Sequence, residues 1–179
     1  MKFLKITFGL LFTIVLIVFC IGMFASKAHH SERSDTFNCS RLKLWTTLND
    51  IQDLPKRRKE IKRVEFTGTT KNGLRKWKQY TVMGGLMTME EIESKPMEKL
   101  KVSITESTFG MKGVWTYELS GNDSTFCSLT ITEDSEIDKL LLRSLMTILG
   151  RDANIKKEIN TLKIAATADD MPGLDIGIQ

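Results

Sequence analysis

Residues 6–26 carry no charged side chain, and that stretch constrains the chain more than anything after it. Leu, Ile, Val and Phe dominate the run, and roughly twenty such residues in helical rise span about 30 Å, the thickness of a bilayer core. The run is apolar on every face, which an ordinary surface-packed helix is not. Lys2 and Lys5 precede it, as they would a signal sequence or a signal anchor. It exceeds the ~7–15 residues of a signal-peptide apolar core, so a retained transmembrane helix is expected, with residues 1–5 as a short basic N-terminus. Small residues at Ala25, Ser26 and Ala28 leave a cleaved, secreted form as the alternative. Phe19 before Cys20 does not resemble a lipoprotein processing site. With Lys2, Lys5 and the terminal amine held in the cytoplasm, the rest of the chain is expected on the extracytoplasmic side.

Setting that segment apart changes the meaning of the charge. Residues 1–34 hold four of the 26 basic side chains but only one of the 22 acidic ones, Glu32, which leaves 22 against 21 for the remainder. The remainder is close to neutral, and a basic footprint for nucleic acid is lost. No nucleic-acid partner is expected; the expected partners are a membrane and a hydrophobic small molecule, with the oligomeric state open.

Residues 27–34 read as a polar tether containing His29 and His30. Two adjacent ring ligands with no third partner make a poor metal site, and no metal is expected. Residues 36–39 suit a first strand, after which Ser40 can cap a helix bearing Leu42, Trp45 and Leu48 on one face. Pro55 and the basic run Lys56, Arg57, Arg58 and Lys59 follow. From there the pattern has period two, the mark of half-buried strands: Val64 and Phe66; Trp77 in a strand over 75–83; Met87 and Met89; Leu100, Val102 and Ile104; Trp115 and Tyr117; Cys127, Leu129 and Ile131. Asn72-Gly73, Gly84-Gly85 and Gly121-Asn122-Asp123 supply turns. Ile137, Leu141, Leu145, Ile148, Ile155, Ile159, Leu162 and Ala166 then recur at helical spacing. A helix over 136–166 is expected, capped by Ser135, with acidic residues at its positive end and a kink near Gly150 and Asp152. Residues 167–179, with Pro172, read as a flexible tail.

Strands joined by short turns and then one long helix give an α+β helix-grip fold: a curved seven-stranded antiparallel sheet around a C-terminal helix, over residues 35–166, preceded by one transmembrane helix. Three stretches resemble the superfamily of START domains, Bet v 1 allergens and the bacterial polyketide cyclase/dehydrase-like proteins (SRPBCC). The first is Leu44-Trp45-Thr46-Thr47-Leu48-Asn49-Asp50 with Pro55 and Ile61-Lys62-Arg63-Val64-Glu65. The second is Gly113-Val114-Trp115-Thr116-Tyr117-Glu118-Leu119 with the strand after Thr125, and the third is the terminal amphipathic helix. Lys56-Arg57-Arg58 stands where the family often has a Trp shortly after the Pro. The resemblance implies a cavity between sheet and helix of the kind used for lipids, sterols, polyketides or quinones.

Catalytic chemistry is thinly represented. No His follows His30, so the usual base at neutral pH and any Ser-His or Cys-His pair are missing from residues 35–179. A Gly-rich phosphate loop and paired-Cys zinc spacing are also absent, and no cofactor is expected. Asp50, Glu65, Glu106, Tyr80 and Tyr117 could work as acids or bases, but the pattern singles out none, and no catalytic residue is assigned. The expected ligand-binding set is Trp77, Met87, Met89, Val102, Ile104, Trp115 and Tyr117 from the strands, with Leu141, Leu145 and Ile148 from the helix. Met side chains suit a pocket for varied apolar ligands, though they also fill ordinary cores. Lys56, Arg57, Arg58 and Lys59 are expected to meet anionic headgroups or simply to be solvated. Cys39 and Cys127 form a candidate disulfide in an exported domain, with two buried thiols as the alternative. The function expected is a membrane-tethered carrier or sensor of an apolar molecule. A ligand-free partner-binding module is the alternative, and a cyclase- or dehydratase-type enzyme comes third.

Overall fold

Seven antiparallel strands form one sheet in the order β1-β7-β6-β5-β4-β3-β2. The computed structural model describes residues 2–121, 125–150 and 152–167. The strands are β1 Ala28–Phe37, β2 Ile61–Thr69, β3 Arg75–Thr81, β4 Leu86–Lys95, β5 Lys99–Ser107, β6 Met111–Ser120 and β7 Cys127–Ile137. The helices are α1 Lys2–Phe24, α2 Arg41–Asn49, α3 Leu54–Arg57, α4 Leu140–Leu149 and α5 Ala153–Thr167. Breaks in register at Ile61/Arg63, Phe66/Gly68, Thr88/Met89 and Glu91/Glu93 add the local twist that curls a sheet. The β2–β3 turn depends on Gly73 at φ 79°, a backbone region that costs a Cβ-bearing residue energy.

The core fills the concave side. Leu129 and Ile131 of β7 and Ile155, Ile159 and Leu162 of α5 are fully buried together with Phe37 and Leu44. Ser40 caps α2 as expected, its Oγ accepting from the Lys43 amide at 3.2 Å. The buried face of α2 is nevertheless Leu44 and Leu48, and Leu42 points to solvent.

Three expectations are corrected. The segment read as a tether is part of the sheet: β1 starts at Ala28 and pairs with β7 from Ala28↔Glu136 to Phe37↔Cys127. It lacks apolar alternation because its inward residues include His29 and Ser31. The acidic cluster that seemed to prepare a helix end faces this strand instead. His30 Nδ1 lies 2.6 Å from Asp134 Oδ1, His29 Nε2 lies 3.7 Å from Glu133 Oε2, and Lys27 Nζ lies 3.9 Å from Asp138 Oδ1. Ser135 therefore sits inside β7 rather than capping a helix.

The terminal helix, read as continuous, is two helices. Gly150, at φ 97° and ψ 142°, ends α4, and α5 restarts at Ala153. Helix α5 packs on β1 and β7, whereas α4 packs chiefly beside α1, where the Ser144 hydroxyl donates to Val18 O at 2.7 Å. Of the expected tail, Thr167 closes α5 and the rest lies outside the described residues, as do Asn122 and Asp123 of the expected last turn. Helix α1 is long and apolar enough over Ile6–Phe24 to cross a membrane.

Candidate functional site

Period-two alternation places the odd-numbered residues of β3 and β4 and the even-numbered residues of β5 on the concave face. Cross-strand pairs then assemble one apolar wall: Trp77 opposite Met89, Met89 opposite Ile104, Val102 opposite Trp115, and Leu100 opposite Tyr117. Trp115 and Tyr117 lie with ring centroids 6.2 Å apart. Across from this wall stand Leu48, Ile51 and Leu54, and between the two is a cavity of about 170 Å³. All seven strand residues expected to bind ligand line it, and so does Met111.

Leu141, Leu145 and Ile148 do not. They lie on α4, exposed and away from the cavity, because the Gly150 break separates α4 from the gripping helix. Helix α5 contributes Asn154 and Glu158, while its apolar stripe is spent on the core. The cavity therefore lies chiefly between the sheet and the α2–α3 segment.

The wall also holds charge, which the sequence reading missed. Arg75, Gln79 and Glu91 line the cavity, and Gln79 and Glu91 are buried. The Arg75 guanidinium donates to Glu91 Oε1 from Nε at 2.8 Å and also from Nη2, and to Asn49 O and Oδ1 at 2.9 and 2.7 Å. The Arg75 amide donates to the other Glu91 oxygen at 3.0 Å. A second pair comes from the basic run, where Arg58 donates to Glu60 and to Glu158, both at 2.9 Å. Burial disfavours the Arg58 charge, but Glu158 and Glu60 outweigh it and hold its pKa above the ordinary value. Burial, with Glu158 close by, pushes the Tyr117 phenol well above its usual range, so it stays protonated.

Two further groups bear on a ligand. The indole N–H groups of Trp77 and Trp115 are buried without a hydrogen-bond partner among the described residues, and a buried donor left unpaired costs roughly 1–3 kcal/mol. Behind the cavity, Glu133 is buried beside His29 of β1 and accepts from Ser135 Oγ at 3.3 Å. Burial pushes its pKa up to about 7, against the hydrogen bonds of Ser135 and Asn154, which lower it.

The remaining expected residues separate. Lys56 pairs with Asp53 at 2.7 Å, and Arg57 donates to Asp50 O at 2.5 Å. Arg58 faces the cavity, and Lys59 is exposed. Arg57 and Arg58 are tied into the α2–α3 corner, while Lys56 and Lys59 stay exposed. Cys39 and Cys127 are both buried and lie in mutual contact. Burial, then the neighbouring Cys39, pushes the Cys127 thiol up to about 11. Among the described residues no cluster of His, Cys, Asp and Glu could hold a metal ion.

No protein-family model and no curated protein sequence matches the chain. Solved structures do. The ZhuI aromatase/cyclase from Streptomyces sp. R1128 superposes with a TM-score of 0.67 at 12% identity, covering 81% of this chain and 97% of that one. A START superfamily protein from Mycobacterium smegmatis gives 0.64 at 11% identity, over 78% of this chain and 98% of that one. A norcoclaurine synthase point mutant from Thalictrum flavum, solved with a transition-state analogue, gives 0.61 at 11% identity, over 80% and 97%. The chain has the helix-grip fold of the START, Bet v 1-like and polyketide cyclase-like proteins.

Proposed function

We propose that this helix-grip chain is a membrane-tethered binding domain for a hydrophobic small molecule of lipid, quinone or polyketide-like character, acting as carrier or sensor. The observation that carries the proposal is the cavity itself, walled by Trp77, Met89, Val102, Ile104 and Trp115 and holding two indole donors that no described residue satisfies. A ligand with acceptor oxygens on an apolar skeleton would satisfy both features. The dimension narrows the class. A volume of about 170 Å³ compares with the ~150 Å³ cavity that admits benzene, and ordinary ligand pockets run ~300–1,000 Å³. A compact ring system fits with little change. A long acyl chain requires Met87, Met89 and Met111 to yield, which flexible thioether side chains do readily. The tether is α1, long and apolar enough to span a bilayer.

Native mass spectrometry of the full chain, released from its membrane in mild detergent, tests the proposal. A co-purifying apolar molecule is expected, and Val102→Phe, which fills the cavity, should abolish it at a stability cost of about 1–3 kcal/mol. A wild-type chain that carries no adduct and takes up no quinone or fatty-acid probe would sink the carrier reading in favour of a ligand-free interaction module.

A second reading has its own support. The Arg75–Glu91 and Arg58–Glu158 pairs and the protonated Tyr117 place polar groups against a bound molecule, and two of the structural neighbours are a cyclase and a synthase. Conversion of the co-purified molecule to a product of altered mass during incubation would favour an enzyme over a carrier.

A further inference from the structure

Helix α4 has a composition that water does not explain. From Leu140 to Leu149 its only charge is Arg143. Leu141, Leu145, Ile148 and Leu149 are 70%, 49%, 57% and 61% exposed, whereas a helix facing solvent carries polar residues on its outer face. Its hydroxyls are consumed internally: Thr147 donates to Arg143 O at 2.8 Å, and Ser144 donates to Leu140 O at 3.1 Å besides Val18 O. That economy is what a medium without hydrogen-bonding partners demands.

The position of α4 supplies the second argument. Along α1 the covered residues are Val18, Ile21, Gly22 and Ala25, spaced for one helical stripe, and the residues from Ile6 to Ile17 are bare. Gly22 lets the helices meet, since a Cβ there would sit 2.4 Å from Ser144 Oγ and 2.6 Å from Leu140 O. Close approach at small residues with hydroxyl-to-carbonyl bonds is how helices pack in lipid. Val18 precedes the end of the span at Phe24 by about 9 Å of helical rise, so Ser144, bonded to it, lies at a depth the bilayer occupies. Arg143 meanwhile reaches Ala25 O at 3.2 Å, at the outward end of α1, where a cation lies at headgroup level.

We infer that α4 is a second membrane element: it sits in the bilayer leaflet nearer the folded domain, against the last two turns of α1, with Leu141, Leu145, Ile148 and Leu149 in contact with lipid. The inference rests on α1 spanning the membrane, as proposed above. The folded domain is thereby held on the bilayer surface instead of swinging from a tether.

Site-directed spin labelling of the full chain, reconstituted in phosphatidylcholine–phosphatidylglycerol vesicles, tests this. In a Cys20→Ser background with the buried Cys39 and Cys127 retained, single variants Ile17→Cys, Leu145→Cys and Lys71→Cys are compared for relaxation by oxygen and by a water-soluble nickel complex. Oxygen should dominate at Ile17 and Leu145 and nickel at Lys71, in the β2–β3 turn. Leu141→Cys and Ile148→Cys should follow Leu145, because one perturbed variant would not reproduce a helical face. Ile17 in lipid with the α4 labels in water would overturn the inference and leave the tether standing. Ile17 in water would remove the tether and the inference together.

Discussion

Glu133 shows how one buried group sets a pH response. Its carboxyl is enclosed by Ser135 on its own strand, His29 of β1 and Asn154 of α5. Its pKa rises from 4.5 to about 7 on folding because burial disfavours the charged form. The folded state then binds the proton more tightly than the unfolded state, so this group's contribution is complete below pH 4.5 and is lost as pH rises through about 7. Glu60 works in the opposite sense. Hydrogen bonds from its own backbone amide, Lys157 and Arg58 override burial and hold it near 2, so its contribution is present above 4.5 and lost in acid. Thermal unfolding followed across this range should show the midpoint falling from pH 5 to pH 8, and Glu133→Gln should flatten that slope. An unchanged slope in the variant would place the titration elsewhere. Arg75 and Glu91 make a different residue-scale prediction. Removing one partner strands a buried charge, so Arg75→Leu should cost about 3–5 kcal/mol, while the double variant with Glu91→Leu should recover most of it; denaturant midpoints of the two chains decide this. These residues were partly legible. Arg75 and Gln79 have the same parity as Trp77, and Glu91 the same as Met89, so strict alternation already put them on the concave face. What hid them was the habit of assigning every strand charge to solvent. Arg58 had no such signal, because it lies in an irregular corner.

Elements were legible where local pattern and tertiary environment agree. β3 to β6 alternate because one face meets the core and the other water, and the seven strand residues expected at the cavity share that inward parity. β1 was expected only over 36–39, and its stretch from Ala28 was missed because its place in the sheet depends on its partner. Apolar residues occur only at its ends, Ala28 and Phe37, and its two histidines meet Glu133 and Asp134 of β7. The α4–α5 division was missed because Leu141, Leu145 and Ile148 are spaced like a core stripe, and spacing does not say whether an apolar face meets protein or lipid. The difference is measurable. Ile159 is buried in the grip while Leu145 is half exposed, so Ile159→Ala should cost about 2–5 kcal/mol, whereas Leu145→Ala in detergent should fall within about 0.5 kcal/mol of the parent. Comparable losses at both positions would mean that α4 carries core packing after all.

For the whole molecule the decisive question is whether α1 stays attached. A cut near Ala25 or Ala28 would leave the sheet largely whole, because β1 begins only at Ala28. It would not leave α4 whole. Ser144 would lose its bond to Val18 O, Arg143 its bond to Ala25 O, and the face that meets Ile21 and Gly22 would open to water beside four side chains already bare. Soluble monomers rarely expose contiguous apolar patches beyond a few hundred Å², so a released domain would aggregate or need another partner. Retention of α1 in a bilayer, as proposed above, would remove that penalty by placing both helices in lipid. If α1 spans a membrane, the positive-inside rule would hold its N-terminal end in the cytoplasm, since Lys2 and Lys5 precede it with no acidic residue before Glu32. On the other side Lys27 pairs with Asp138 and Arg33 with Asp152 inside the folded domain. The mature protein is therefore expected at full length in the carbonate-washed membrane fraction, with its domain digested by protease added outside sealed cells. Intact mass and N-terminal sequencing check the first expectation, and protease accessibility against a cytoplasmic control checks the second. A soluble species starting near residue 26 would refute retention, and a protected domain would reverse the orientation.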